Sequence, residues 1–152
     1  MQCFQGKSVY KGIVMGPAVV LERNEYRAVF VKTEDFDGEI LRTKQAIQEA
    51  KEQLQLLYKK SADEIGKASA AIFEVHQMLL EDTGFQEAIF RMIENEKVNA
   101  EYAVFKIGSK YAGVFASMDD ELMQSREADI KDIVKRIIRN LNEKEEHKIN
   151  LA

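Results

Sequence analysis

The one proline of this chain is Pro17, and four of its eight glycines (Gly6, Gly12, Gly16 and Gly38) fall in the first forty residues. The long remainder is poor in breakers and rich in Ala, Glu, Lys, Leu and Gln, which favour helix by intrinsic propensity. Extended structure is therefore expected only near the start, and helices everywhere after it. At 152 residues the chain is long enough for one domain. A domain of this size buries roughly 68–70% of its unfolded surface and needs no covalent staple.

Residues 8–21 and 26–32 are rich in Val and Ile and read as two short strands, broken by Gly12, by Gly16-Pro17 and by Arg23-Asn24-Glu25. Two strands alone are marginal in water, so they must lean on helices or join a larger sheet. From Thr33 the period changes. Thr33 is placed to cap a helix with acids in its first turn. Phe36, Ile40, Ile47, Ala50, Leu54 and Leu57 then recur at three- and four-residue spacing, up to a stop at Gly66. A second helix starts near Lys67. Thr83 and Gln86 are spaced as a capping box, which predicts a kink near Asp82 and a continuation through Phe85, Ile89, Met92 and Ile93. Asn99 opens a third helix, striped by Val104, Ile107, Tyr111, Val114, Phe115 and Met118. Ser117 and Asp120 are spaced as another capping box, ahead of a last helix carrying Ile130, Ile133, Val134, Ile137, Ile138 and Leu141.

The expected fold is mainly α. Two helical hairpins form a four-helix-type bundle with a kinked second helix, preceded by two short N-terminal strands. Residues 1–32 are expected to belong to an incomplete α/β unit, 33–143 to the helical unit, and 144–152 to a frayed tail without an apolar stripe.

Little in the composition points to chemistry. A net charge of -4 without a basic face argues against nucleic acid. The start has no apolar core like a signal peptide, and no apolar run approaches the length of a membrane span. With the single Cys3 this suggests a cytoplasmic protein with no internal disulfide. Neither His76 nor His147 has a Glu three residues before it, so a di-iron bundle is rejected. No GxxxxGK[ST] phosphate loop exists, and Cys3 has no nearby histidine. The pairs Glu81-Asp82 and Asp119-Asp120 read as helix-end acids. No metal site or active site emerges from spacing.

The positive signal lies between Lys67 and Phe85. Ile72, Val75 and Leu79 make one helical stripe, while Phe73, Met78 and Leu80 point elsewhere. A helix apolar on more than one side is either buried all round or keeps a side for a partner. In the second case Met78 supplies adaptable surface, and Glu74, Glu81 and Asp82 form an acidic rim that would steer a basic partner.

The strings AAIFEVHQMLLED and NAEYAVFKIGSKYAGVFASMDDELMQSREADIKDIVKRIIRNL, with GIVMGPAVV near the start, resemble the N-terminal region of enzyme I of the bacterial sugar phosphotransferase system, a phosphoenolpyruvate–protein phosphotransferase. The resemblance runs over nearly the whole chain. In that family a histidine on the enzyme takes a phosphoryl group from phosphoenolpyruvate and passes it to the phosphocarrier protein HPr. The resemblance implies a helical subdomain that binds HPr, inserted in an α/β subdomain whose active histidine lies in a Thr-Ser-His context. It also implies a C-terminal barrel that binds phosphoenolpyruvate and Mg2+. This sequence has no Thr-Ser-His, and neither His76 nor His147 matches that context. The chain by itself is thus expected to be inactive and to hold no cofactor, with HPr and the missing α/β and barrel domains as partners, and neither nucleic acid nor membrane.

Position by position, the resemblance places HPr contacts on Ala71, Glu74, Met78, Leu79, Asp82, Phe85, Phe115, Met118, Met123 and Arg126. Lys67, Ala68 and Gly84 stand where the family often has acids, which implies weaker or displaced charge steering. A stand-alone helical adaptor is the alternative, and a catalytic role for His76 comes third.

Overall fold

A computed structural model of the chain describes residues 18–21 and 26–151, with side chains over residues 28–144. Strand β1 (Ala18–Leu21) pairs antiparallel with β2 (Tyr26–Val29), Ala18 opposite Val29 and Leu21 opposite Tyr26. The extended segment expected over residues 8–17 lies outside the described residues. Past Val29 the chain leaves this ladder. Lys32 bridges Val98, the Thr33 amide donates to the Lys97 carbonyl at 2.9 Å, and the Asn99 amide donates to Val31 at 3.0 Å. The strands are thereby tied to the helical unit that follows them.

Helix α1 (Phe36–Ile65) is about 45 Å long at 1.5 Å per residue. Its cap is Asp35 and not Thr33. The Asp35 carboxylate accepts the Gly38 amide at 3.1 Å, and the Thr33 hydroxyl accepts the Asp35 amide at 3.2 Å. Thr43, Ala46, Ile47, Ala50 and Leu54 form the buried face. Past Leu54 no residue of α1 is fully buried. Gly66 then adopts φ 99° and ψ 158°, a region essentially closed to other residues, and turns the chain into α2 (Lys67–Leu80).

The stripe of α2 differs from the expected one. Ala70, His76 and Leu80 are buried and Phe73 packs partly against the core, whereas Ile72 is exposed. The sequence offers two apolar stripes on this helix, and packing chiefly against α1, and also against α6, selects the one that contains the histidine.

The kink falls where expected, by a different mechanism. Asp82 caps α3 (Thr83–Glu96) by accepting the Phe85 amide at 2.7 Å, so Thr83 is not the cap. Gln86 reaches back instead to the Leu80 carbonyl at 2.6 Å and closes the end of α2. Lys97, left-handed at φ 56°, ends α3.

Helix α4 (Ala100–Ala116) is followed by the single turn α5 (Glu121–Gln124) and by α6 (Arg126–Leu151). The expected Ser117–Asp120 capping box does not form. The Ser117 hydroxyl donates to Val114 at 2.8 Å and helps close α4, while Asp120 accepts the Leu122 amide at 2.9 Å and caps α5. Among the described side chains Leu141 is the last fully buried one on α6, and the backbone is helical to Leu151. Glu and Lys are good helix formers, and Lys144 pairs with Glu49 of α1 at 3.4 Å.

The hairpins α1–α2 and α4–α6 enclose a core that includes Leu54, Leu80, Phe85, Ile89, Val104, Ile133 and Ile137. At Gly108 of α4 a Cβ would clash with Val134 Cγ2 of α6, so the glycine sets how closely these helices approach. Buried Asn140 donates to the Ala46 carbonyl at 3.1 Å and accepts from Gln53 at 3.0 Å, linking α6 to α1. Beside it, burial lowers the pKa of the Arg136 guanidinium, Arg139 adds to the effect, and Asp132 opposes it. Among the described residues no helix is long and apolar enough to cross a membrane.

Candidate docking surface

Two contacts between elements define one end of the bundle. His76 Nε2 of α2 lies 3.1 Å from Asp129 Oδ1 of α6. The Phe85 ring at the start of α3 meets Tyr111 of α4 edge-on, with centroids 5.2 Å apart. The second half of α2, the start of α3, the C-terminal half of α4, α5 and the start of α6 therefore converge.

Most of the predicted contact residues lie at this end. Ala71, Glu74 and Met78 follow one another at three- and four-residue spacing on the solvent side of α2. Met78 is 70% exposed, Glu74 is exposed and Ala71 is half-buried. Asp82 is exposed although its carboxylate caps α3. Met123 of α5 is exposed, and Met118 and Arg126 are half-buried beside it in the chain. Leu79 and Phe115 are half-buried and pack against the core, so each offers one edge.

Phe85 does not belong with these residues. It is 1% exposed, among the largest side chains of the core, and has no surface to offer a partner. The cap at Asp82 turns the chain so that Phe85 points inward against Tyr111. Three exposed apolar side chains at this end were missed: Ile72, Val114 and Leu122. The sequence pattern places Ile72 and Val114 on apolar stripes, and only the helix pairing shows that they face outward. Of the rim acids Glu74, Glu81 and Asp82, all exposed, Glu81 is engaged by Lys51 of α1 at 3.1 Å and Asp82 caps α3; Asp119, Asp120 and Glu121 near α5 are exposed as well.

His76 is 7% exposed and faces a carboxylate, which only accepts hydrogen bonds. Its Nε2 must therefore carry the proton. The ring packs between α2 and α6 and links the two helices. The side chain of His147 and all of Cys3 lie outside the described residues. Among the described residues no group of three or more His, Cys, Asp or Glu could hold a metal ion.

A second polar cluster holds the opposite end together. Arg42 of α1 pairs with Glu39 and with Glu101 of α4, each at 2.8 Å, and Glu39 also accepts the Ala100 amide at 2.8 Å. Burial pulls the Arg42 pKa down, but hydrogen bonding to Glu101 and the charges of Glu101 and Glu39 outweigh it and hold the pKa above its ordinary value. Arg42 offsets part of the charge of the two carboxylates, and the cluster fixes α1 against α4.

Residues 5–126 match the family model described as PEP-utilising enzyme, N-terminal. The chain is 34% identical over 141 residues to the phosphoenolpyruvate-protein phosphotransferase of Enterococcus faecalis, covering 92% of this chain and 24% of that protein. It is 32% identical over 137 residues to the protein of that name from Mycoplasma capricolum, covering 90% of this chain and 24% of that one. The chain thus spans about a quarter of the length of these relatives. A solution structure of Enzyme I superposes with a TM-score of 0.71 at 35% identity, covering 74% of this chain and 46% of that one. The N-terminal domain of Enzyme 1 – Nitrogen does so with 0.70 at 28% identity, covering 75% and 48%. With the matched model spanning most of its residues, the chain belongs to the family of PEP-utilising enzyme N-terminal regions and has the helical fold of the N-terminal domain of Enzyme I.

Proposed function

We propose that this chain is the docking module of a phosphoenolpyruvate–protein phosphotransferase and that its partner is the phosphocarrier protein HPr. The observation that carries this is the position of Met78. It is largely exposed on α2, flanked by Glu74 and Asp82, at the end of the bundle that also exposes Leu122 and Met123. A flexible thioether among acids suits a partner with a basic rim and an apolar centre. In this proposal the phosphorylated histidine, phosphoenolpyruvate and Mg2+ belong to domains beyond these residues, in a cytoplasmic enzyme. The helical unit contributes proximity: it holds the phosphoryl acceptor near the donor and removes part of the entropic barrier. The chain alone then binds HPr without becoming phosphorylated.

The test is a titration of 15N-labelled chain with HPr, together with incubation of the chain with phosphoenolpyruvate and Mg2+. Shifts are expected around Met78, Leu79 and Met123, and Met78→Ser should weaken binding about tenfold, equivalent to about 1.4 kcal/mol. Unperturbed amides at these positions would refute docking here. Phosphate incorporated by the chain alone would refute the division of labour.

A further inference from the structure

We propose that His76 is a positioning residue for docking: it holds Asp129 so that Asp129 sets Arg126 in place for the partner. The inference rests on the docking function proposed above and adds a residue that never touches the partner. His76 Nε2 donates to Asp129 Oδ1 at 3.1 Å, and the Arg126 guanidinium donates to Asp129 Oδ2 at 2.9 Å. Both oxygens of one carboxylate are thus engaged, one from α2 and one from the first turn of α6. His76 and Asp129 are each 7% exposed, whereas Arg126 is half-buried and reaches the surface. A chain of contacts therefore runs from the interior to the docking end.

The arrangement needs Asp129 for an electrostatic reason. A cation in the first turn of a helix meets the positive end of the helix dipole and is repelled. The i, i+3 carboxylate offsets that repulsion and gives the guanidinium one direction. Asp129 in turn is a buried carboxylate, and a buried acceptor left unpaired is costly. Without the His76 donor, the carboxylate gains by rotating toward water or toward Arg126 alone, and Arg126 loses its fixed direction. An arginine held in place loses less side-chain entropy when an acceptor oxygen of a partner arrives. His76 therefore acts on affinity through Arg126.

The experiment is a double-mutant cycle with HPr binding measured by calorimetry on the full chain, folding being checked by circular dichroism. His76→Leu removes the donor and His76→Gln keeps one. His76→Leu is expected to weaken binding about tenfold, about 1.4 kcal/mol, and His76→Gln to recover most of that loss. In an Arg126→Ala background His76→Leu should have almost no further effect. If His76→Leu does not fold, Asp129→Asn takes its place in the same cycle with the same expectation. Equal losses in both backgrounds, or no loss in either, would overturn the positioning role while Met78→Ser still weakened binding. No binding by the unmodified chain, or binding indifferent to Met78→Ser, would overturn the docking function itself.

Discussion

The Asn99 side chain occupies two backbone groups of the segment at the end of β2: its oxygen accepts the Val31 amide at 2.9 Å, and its amide donates to the Val29 carbonyl at 2.8 Å. Asn99 is also the N-cap residue of α4, but its side chain makes no capping bond. The side chain that could close the helix ties the strand to it instead. Asn99→Ala should leave both part-buried backbone groups short of a partner and cost about 1–3 kcal/mol, less than two fully buried groups would, because water can reach them. Denaturant unfolding measures the loss. Hydrogen exchange at the Val31 amide should accelerate more than exchange at Ile89 in the core.

Phe85 and Met78 lie seven residues apart and should respond in opposite ways. Phe85→Ala empties a fully buried site and is expected to cost about 3–5 kcal/mol of stability. Met78→Ser changes an exposed position and should move stability by no more than about 0.5 kcal/mol. Thermal melts of the two variants beside their HPr affinities separate core from surface.

Gly108→Ala should cost about 1–3 kcal/mol, because the new methyl group meets Val134 Cγ2 across the α4–α6 contact. Val134→Ala alone also destabilises, by removing buried methyl groups. The two changes together should cost less than their sum, since one makes the space that the other needs. Urea unfolding of the four variants of this cycle gives the coupling.

Glu101→Gln removes the charge that faces Arg42 at 2.8 Å in a mostly enclosed site. Removing one partner of a fully buried ion pair costs about 3–5 kcal/mol, and partial exposure of Arg42 together with its bond to Glu39 reduces this to about 2–3 kcal/mol. Unfolding of Glu101→Gln and Arg42→Met, singly and together, should show the double variant recovering part of the loss.

Breakers and periodicity made the helices legible. Gly66, the break near Asp82 and the stripe from Ile130 to Leu141 all stand where their residue types imply. Caps were harder to read, because neighbouring polar residues compete for the same amides. Asp35 displaced Thr33, and Asp82 displaced Thr83. Which face of α2 is buried could not be read locally. It carries two apolar stripes, and the choice between them is made by tertiary packing, chiefly on α1 and also on α6, whose Asp129 lies 53 residues from His76 in sequence. Phe85 points inward for a related reason: a residue just after a kink points wherever the cap sends it. The surface set around Met78 was legible through resemblance, while Ile72, Val114 and Leu122 join it only once the helices are paired.

The far half of the α1–α2 hairpin has a kinetic consequence. No residue of α1 after Leu54 and none of α2 before Ala70 is fully buried, and the turn between them rests on Gly66 alone. Few buried apolar contacts mean a low free energy of local opening. The hairpin should then unzip from Gly66 inward while the core around Leu80 and Ile133 stays closed. Amide protection would grade upward along α1 from Ile65 to Ala46, and a partner gripping Ala71 and Glu74 would be felt as slower exchange in the turn, which begins about 7.5 Å along the helix from Ala71.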